Sequence, residues 1–205
     1  MTKAWFKKRL NDHYLKQSRI DSFRSRAAYK LEEIDKKYSL IKPGMKILDL
    51  GAAPGSWSQY IARKTGGKSS VIAIDLLPIE PIEQVTILQG DLRSKEKQDE
   101  IRKLAPKGLD LVLSDMAPDT TGIHYADADN SIELVTAALN LSYELLKPGG
   151  SFVAKVFEGE GYSELLRQTK KNFDFAKSYN PKASLASSRE LYLVARFFKP
   201  SQKSV

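Results

Sequence analysis

The chain has 205 residues, of which 41% are hydrophobic, and a formal net charge of +8. This size and composition suit one globular domain with its own core, and they exclude a disordered chain. The absence of Cys excludes disulfides, cysteine-ligated zinc and thiol catalysis, and no apolar run reaches the ~18 residues that span a bilayer. We therefore expect a single domain over residues 1–205, without a membrane partner, in the cytoplasm.

Positive charge is concentrated at the start of the chain. Residues 1–30 contain two acidic residues, Asp12 and Asp21, against a much larger basic set: Lys3, Lys7, Lys8, Arg9, Lys16, Arg19, Arg24, Arg26 and Lys30. Such a segment is either a solvated tail or a surface that binds a polyanion. We interpret residues 1–25 as a basic RNA-binding arm, with interleaved aromatic residues that can stack on bases or pack.

After this arm, helical and strand patterns alternate. Apolar residues recur at helical spacing through "SRAAYKLEEIDKKY", and "KPG" then ends that segment. The predicted strands are Lys46–Leu50, Val71–Asp75, Thr86–Gln89, Leu109–Ser114, Ser151–Val156, Phe175–Tyr179 and Glu190–Arg196. The predicted helices between them are Trp57–Lys64, Lys95–Leu104, Ser131–Leu146 and Tyr162–Asn172. This alternation predicts an α/β fold, in which a mostly parallel sheet has helices on both faces and binds ligands beyond the carboxyl ends of its strands.

The first strand runs into a glycine-containing turn, "GAAPGSW". Gly51 and Gly55 permit positive φ angles and the close approach of a ligand to the backbone. Their spacing is neither the Gly-x-Gly-x-x-Gly of a dinucleotide fold nor that of a phosphate-binding P-loop. The turn is therefore either a ligand-binding loop of another kind or an ordinary tight connection.

Three consecutive strands end in a carboxylate: Asp49, Asp75 and Asp91. Asp75 is placed to accept hydrogen bonds from ribose hydroxyls, although it could also cap the following turn. Asp91 can accept from an adenine amine. An acidic rim of this kind repels a pyrophosphate and suits a cationic nucleoside such as S-adenosylmethionine.

The later strand ends carry further chemistry. Asp115 follows an apolar run, and Glu190 opens the last strand. Lys155 lies inside an apolar run, where a lysine is costly unless it is paired or neutral; it is either an edge residue that reaches solvent or a general base. With two His and no Cys, the sequence offers no cluster of metal ligands, so we predict no metal.

These residues lie in blocks that resemble the FtsJ-type ribosomal RNA large-subunit methyltransferase family of bacteria. The blocks are "FRSRAAYKLEEID", "DLGAAPGSWSQY", "DLLP", "QGD", "SDMAP", "PGGSFVAKVFEGEG" and "SSRELYLVA". The resemblance implies a catalytic Lys-Asp-Lys-Glu tetrad at Lys30, Asp115, Lys155 and Glu190. It also implies contacts to S-adenosylmethionine, a Rossmann-like class I methyltransferase sheet of seven strands, and a last strand that is antiparallel. The contact positions are Gly51, Gly55, Trp57, Asp75, Asp91 and Asp115.

The resemblance further implies methylation of a uridine 2′-oxygen in 23S rRNA, on the assembled 50S subunit, by a monomer. In this scheme Lys155 removes the proton of the ribose hydroxyl, and Glu190 pairs with Lys30 or with Lys155. Two other functions remain open: 2′-O-methylation of tRNA, and a non-catalytic RNA-binding role in ribosome assembly. A nicotinamide-dependent dehydrogenase is disfavoured by the glycine spacing and the acidic rim.

Overall fold

The computed structural model describes residues 13–184 and 188–200. Six helices occur in these ranges: α1 His13–Ile20, α2 Ala27–Tyr38, α3 Ser56–Thr65, α4 Lys95–Leu104, α5 His124–Leu145 and α6 Tyr162–Asn172. Seven strands accompany them: β1 Lys46–Leu50, β2 Ser70–Asp75, β3 Val85–Gln89, β4 Leu109–Ser114, β5 Leu146–Phe157, β6 Phe173–Tyr179 and β7 Glu190–Phe198. Half of the proposed basic arm, residues 1–12, lies outside the described residues.

The strands form one sheet in the order β3-β2-β1-β4-β5-β7-β6. Strands β1 to β5 pair in parallel, whereas β7 is antiparallel to both of its neighbours. The predicted α/β class, the seven strands and the antiparallel last strand are therefore confirmed. Because β1 lies next to both β2 and β4, the strand order reverses there, and the carboxyl ends of these strands flank the crevice where such sheets bind ligands.

Helices cover both faces of the sheet and bury two hydrophobic layers. One layer joins α2 and α3 to the sheet through residues such as Leu31, Ile61 and Val194. The other joins α4, α5 and α6 to the opposite face, with Ile101, Leu139 and Phe152 fully or almost fully buried. Because helices cover both faces of the sheet, its carboxyl edge is the part left for polar side chains.

The long helix differs from its prediction. It begins at His124 rather than at Ser131, since its first two turns, "HYADADN", are too polar to show an apolar period. Asp127 supports this start: its carboxylate accepts hydrogen bonds from the backbone N–H and hydroxyl of Thr121 and from the N–H of Gly122. At the other end, "KPGG" follows the helix as predicted, but it belongs to the first part of β5.

Among the residues described, none of the helices is both long and apolar enough to cross a bilayer.

Candidate functional site

The four residues of the expected tetrad meet at the carboxyl edge of the sheet. Lys155 lies in β5, Asp115 directly follows β4, Glu190 opens β7, and Lys30 lies in the first half of α2. Lys30 and Lys155 are 8% and 9% exposed, so both lysines are buried. The alternative that Lys155 is an exposed edge residue is excluded, because β5 lies between β4 and β7.

Lys155 is held by Asp115 through two oxygens. Its Nζ donates to the Asp115 backbone carbonyl at 2.6 Å and lies 3.2 Å from the carboxylate Oδ1. The backbone of Asp115 is itself fixed, since its N–H donates to the carbonyl of Leu50 at 3.0 Å. The position of the Lys155 Nζ is therefore defined by the end of β4 and by the neighbouring strand β1.

Lys30 forms a buried ion pair with Glu190. Burial alone would raise the pKa of the Glu190 carboxyl, but the charge and hydrogen bond of Lys30, assisted by the charge of Lys155, hold it below its ordinary value. Of the two partners that the sequence left open for Glu190, the structure selects Lys30. The two lysines thus have separate carboxylate partners.

Tyr192 joins the two pairs, and sequence reasoning missed it. It lies directly opposite Lys155 in the β5–β7 ladder, and its hydroxyl donates to Asp115 Oδ1 at 3.0 Å. The Nζ of Lys30 is 6.0 Å from the centroid of the Tyr192 ring. Burial, with the charges of Asp115 and Glu190, raises the pKa of Tyr192 well above its usual value, so this residue remains a donor. The two-residue period of a strand, which puts Tyr192 on the same face as Glu190, was the available signal.

Trp57 connects the start of α3 to the start of α2. Its indole N–H donates to the Ala27 carbonyl at 2.8 Å, and its ring centroid is 5.9 Å from that of Tyr192. Since α2 carries Lys30, this contact helps to position the tetrad. Trp57 lies in the core and does not line the larger cavity described next.

A cavity of about 450 Å³ opens beside the tetrad, between the ends of β1, β2, β3 and β4. This volume lies in the range of cofactor sites. Its lining includes three of the predicted carboxylates and one of the predicted glycines, with apolar side chains between them: Gly51, Ile74, Asp75, Leu76, Asp91, Leu92, Asp115, Met116 and Leu134. Asp115 therefore faces both the cavity and Lys155.

The two outer carboxylates of the cavity have partners within the chain. Asp75 accepts from the backbone N–H groups of Ala53 and Leu77, each at 2.9 Å, and so holds the glycine turn and its own loop. Asp91 receives the Arg93 guanidinium through both oxygens. These bonds to Arg93 hold the pKa of Asp91 below its ordinary value. Arg93 also lines the cavity and was not predicted from the sequence.

At both glycines of the turn, other parts of the protein occupy the space that a side chain would need. A Cβ on Gly51 would lie 2.8 Å from the backbone of Met116, and one on Gly55 would lie 2.8 Å from the guanidinium of Arg24. Both glycines have positive φ angles, of 68° and 104°. Gly51 also lines the larger cavity, whereas Gly55 does not.

Arg24 links two loops of the protein beside Gly55. Its guanidinium donates to the carbonyls of Pro54, Glu80 and Pro81 at 2.8–2.9 Å, and so joins the loops that follow β1 and β2. Arg26 similarly donates to the carbonyl of Ala183. These two arginines of the basic segment thus bond to the protein's own backbone.

Asp49, the third carboxylate of the rim, is fully buried at the end of β1. Its Oδ2 accepts from the Ser58 hydroxyl at 2.6 Å. Burial raises the pKa of Asp49 to about 7; the Ser58 bond opposes this rise, and the charges of Asp115 and Asp75 add to it. Asp49 does not line the larger cavity, but it lines a small one beside it, together with Trp57 and Asp115.

Within residues 13–184 and 188–200, no group of three or more His, Cys, Asp or Glu side chains is arranged to hold a metal ion.

Comparisons with known proteins agree with this geometry. The model of the FtsJ-like methyltransferase family matches residues 23–198. The chain is 46% identical over 196 residues to the "Ribosomal RNA large subunit methyltransferase E" of Marinobacter nauticus, covering 95% of each sequence. Among solved structures, it is 32% identical to a Plasmodium falciparum chain described as a ribosomal RNA methyltransferase. That alignment has a TM-score of 0.79 and covers 86% of this chain and 98% of the other.

A more distant structure shares the fold. Human methyltransferase-like protein 13, solved in complex with SAH, is 17% identical, with a TM-score of 0.52, over 78% of this chain and 75% of the other. The family match covers all four tetrad positions and the whole sheet. The chain belongs to the FtsJ-like methyltransferase family.

Proposed function

We propose that the protein transfers a methyl group from S-adenosylmethionine to the 2′-oxygen of a uridine in large-subunit (23S) ribosomal RNA, as part of an assembled 50S subunit. One observation carries the proposal: Asp115 lines the larger cavity and also holds the buried Lys155 through two oxygens. A methyl donor in the cavity and a basic nitrogen at its edge would therefore share one anchoring residue.

The cavity residues suit S-adenosylmethionine. Asp75 has accepting capacity beyond its two backbone bonds for ribose hydroxyls, and Asp91 lies where an adenine amine could replace Arg93. The apolar side chains of Ile74 and Leu92 suit a purine between them. Gly51 lets this wall of the cavity lie close to the chain after β4. The same class of ligand is present in the human relative of this fold, which was solved with SAH.

The cofactor would supply an electrophilic methyl group on a cationic sulfur, and the product sulfur is a neutral thioether that needs no metal ion. The protein then has to position the ribose hydroxyl and accept its proton. Neutral Lys155 has two N–H groups and one lone pair. Because Asp115 offers two acceptors to Nζ, both N–H groups would be engaged and the lone pair left for the hydroxyl.

The remaining tetrad residues would keep this nitrogen in place. Glu190 neutralises the charge of Lys30, so the pair can lie next to Lys155 without adding a net charge. Tyr192 holds Asp115 Oδ1 from the opposite side. In this scheme Lys155 is the general base, Asp115 orients it, and Lys30 and Glu190 form the adjoining wall of the substrate site.

The choice of RNA rests on relatives and on charge. The Marinobacter relative carries the name of a large-subunit rRNA methyltransferase, and this chain has a net charge of +8 with residues 1–25 as its proposed RNA-binding arm. We propose a single methyltransferase domain that acts as a monomer. A tRNA substrate and a non-catalytic assembly role are the outcomes against which this proposal is tested.

The test is methyl transfer from isotopically labelled S-adenosylmethionine, with undermethylated 50S subunits, naked 23S rRNA and tRNA offered in parallel. Digestion to nucleosides identifies the product. We expect label in 2′-O-methyluridine from 50S subunits. Label in tRNA alone would overturn the target, and cofactor binding without label in any RNA would favour the non-catalytic role.

A further inference from the structure

Asp49 is a buried carboxyl group that the proposed reaction does not use. It is 0% exposed, and its Oδ1 has no hydrogen-bond partner among the described residues, whereas Oδ2 is bonded to Ser58. An ionised carboxylate in such a position is unfavourable unless a positive charge lies nearby. Among residues 13–184 and 188–200, no Lys or Arg forms an ion pair with Asp49.

The acidic neighbours of Asp49 make its ionisation harder, whereas the hydrogen bonds from Ser58 favour it. Asp115, at the end of β4, and Asp75, at the end of β2, raise the pKa of Asp49 through their negative charges. From α3 it faces the uncharged Ser58. With burial as the main cause, its pKa is about 7, so the free protein exchanges a proton at Asp49 near neutral pH.

A small cavity beside Asp49 shares lining residues with the proposed cofactor site. Its volume is about 10 Å³, which is the space of one water molecule. Asp49, Ser25 and Ser56 line it, and Gly51 and Asp115 line both this cavity and the larger one. The unpaired oxygen therefore belongs to a carboxyl group that is screened from bulk solvent but lies next to the cavity proposed for a cationic ligand.

We propose that Asp49 is the buried counter-charge of the cofactor's sulfonium, ionised when the cationic cofactor is bound and protonated when the site holds the neutral-sulfur product. This inference rests on the proposed function, since it requires S-adenosylmethionine in the larger cavity. It assigns to Asp49 a role in discriminating the substrate form of the cofactor from its product form.

The sign of the linkage follows from charge. A bound cation favours ionised Asp49, so binding S-adenosylmethionine expels a proton wherever the free protein is protonated. Its affinity then rises with pH up to about 7, by at most ~10-fold per pH unit for one linked proton, and levels off above. S-adenosylhomocysteine has the same nucleoside and amino-acid parts without the sulfonium, and its affinity should lack this rise.

The experiment is isothermal titration calorimetry of the full chain with each ligand, in two buffers that differ in ionisation enthalpy. The range of about pH 5.5–7 keeps the ligands' amino groups protonated. Asp49→Asn, which can still accept from Ser58, removes the titrating group. Asp129→Asn is the matched control, because it makes the same change at an exposed aspartate of α5 that lines neither cavity.

We expect wild type and Asp129→Asn to release protons on binding S-adenosylmethionine, and Asp49→Asn to release none. In Asp49→Asn the preference for S-adenosylmethionine over S-adenosylhomocysteine should fall at least severalfold at neutral pH. Equal proton release by both ligands, or unchanged release in Asp49→Asn, would overturn the inference. Failure of both ligands to bind wild type would instead overturn the proposed function.

A second measurement, without ligand, tests Asp49 itself. A carboxyl whose folded pKa is raised loses its stabilising contribution as pH rises from its unfolded value to the folded one. Between pH 3.8 and about 7, wild type should therefore lose stability relative to Asp49→Asn. Parallel stability curves for the two proteins over this range would contradict a titrating Asp49.

Discussion

Lys155 and Tyr192 face each other across the antiparallel β5–β7 ladder, and both contact Oδ1 of Asp115. Strand β7 therefore brings the Tyr192 hydroxyl, and β5 the Lys155 Nζ, to one oxygen at the end of β4. Because the pairing register fixes both side chains on the same face of the sheet, a shift of one residue would remove Tyr192 from this contact.

Tyr192→Phe tests this contact. The change removes one hydrogen bond from a buried group and leaves the ring packed against Trp57. We expect the free energy of unfolding to fall by about 0.5–1.5 kcal/mol, measured by urea denaturation. The control is Tyr125→Phe, since Tyr125 is 74% exposed and should show no loss. Equal stability of the two variants would show that the Tyr192 hydroxyl makes no net contribution.

Lys155→Ala tests the proposed base. Methyl transfer should slow by roughly 10²–10⁴-fold, the usual effect of removing a general base. Binding of S-adenosylmethionine and RNA should change much less. Lys107→Ala is the control, because Lys107 is exposed at the opposite edge of the sheet, before β4. A rate within about tenfold of wild type would exclude Lys155 as the base.

Glu190→Gln tests whether the negative charge of Glu190, in its ion pair with Lys30, stabilises the fold. The pKa of Glu190 is lowered in the fold, so its stabilising effect is present above its unfolded value of 4.5 and is lost as pH falls below it through the lowered folded value. Wild type should be more stable than Glu190→Gln at neutral pH, and the gap should shrink below pH 4.5. A gap that stays constant over this range would show that the charge of Glu190 does not matter.

Substitution of Arg24 and of Arg189 should affect different properties: Arg24 the fold and cofactor binding, and Arg189 the binding of RNA. Arg24 bonds to three backbone carbonyls, so Arg24→Ala should weaken cofactor binding and the fold. Arg189 precedes Glu190 and is exposed, and its side chain has no hydrogen bond or ion pair among the described residues. We expect Arg189→Ala to lower the slope of RNA affinity against salt, by about 0.7–0.9 on logarithmic axes for one phosphate contact.

RNA binding over a salt series, together with calorimetry of the cofactor, distinguishes the two arginines. A reduced salt slope in Arg24→Ala, with cofactor affinity intact, would return Arg24 to the RNA-binding surface that the basic segment predicted. An unchanged slope in Arg189→Ala would remove Arg189 from that surface.

Gly51→Ala and Gly44→Ala form a matched pair. Both residues have positive φ, but a Cβ on Gly44 meets nothing within 4 Å, whereas one on Gly51 lies 2.8 Å from the Met116 backbone. Gly44→Ala should cost about 1–2 kcal/mol through backbone strain alone. Gly51→Ala should cost more and should lower cofactor affinity, because Met116 lines the larger cavity. Equal losses in the free energy of unfolding would show that Met116 can move away from an added Cβ without a further cost.

Much of the fold could be predicted because short sequence patterns indicate its strands and helices. Lys46–Leu50 and Leu109–Ser114 are short apolar runs, and the helices at Lys95 and Tyr162 are amphipathic; all four have their predicted bounds. The first turns of α5 could not be found, since their stability comes from the Asp127 bonds to Thr121 and Gly122 rather than from an apolar face.

The site was less accessible to sequence reasoning than the fold. A strand end in Asp predicts a polar edge, but the partners at that edge depend on distances between elements that are far apart in the chain. The sequence therefore could not decide between Lys30 and Lys155 as the partner of Glu190. Arg24 was assigned to an RNA-binding surface for the same reason, because its charge is visible in the sequence and its carbonyl partners, 30 and 56 residues away, are not.

The position of β7 has a consequence for biosynthesis. The described lining of the larger cavity comes from residues between Gly51 and Ala137, whereas Glu190 and Tyr192 arrive on a strand that inserts between β5 and β6. The residues that line this cavity are therefore synthesised before Glu190 and Tyr192. We expect a chain truncated before β7 to lack the ion-pair partner of Lys30 and the hydroxyl that bonds to Asp115, so that methyl transfer requires the last strand of the chain.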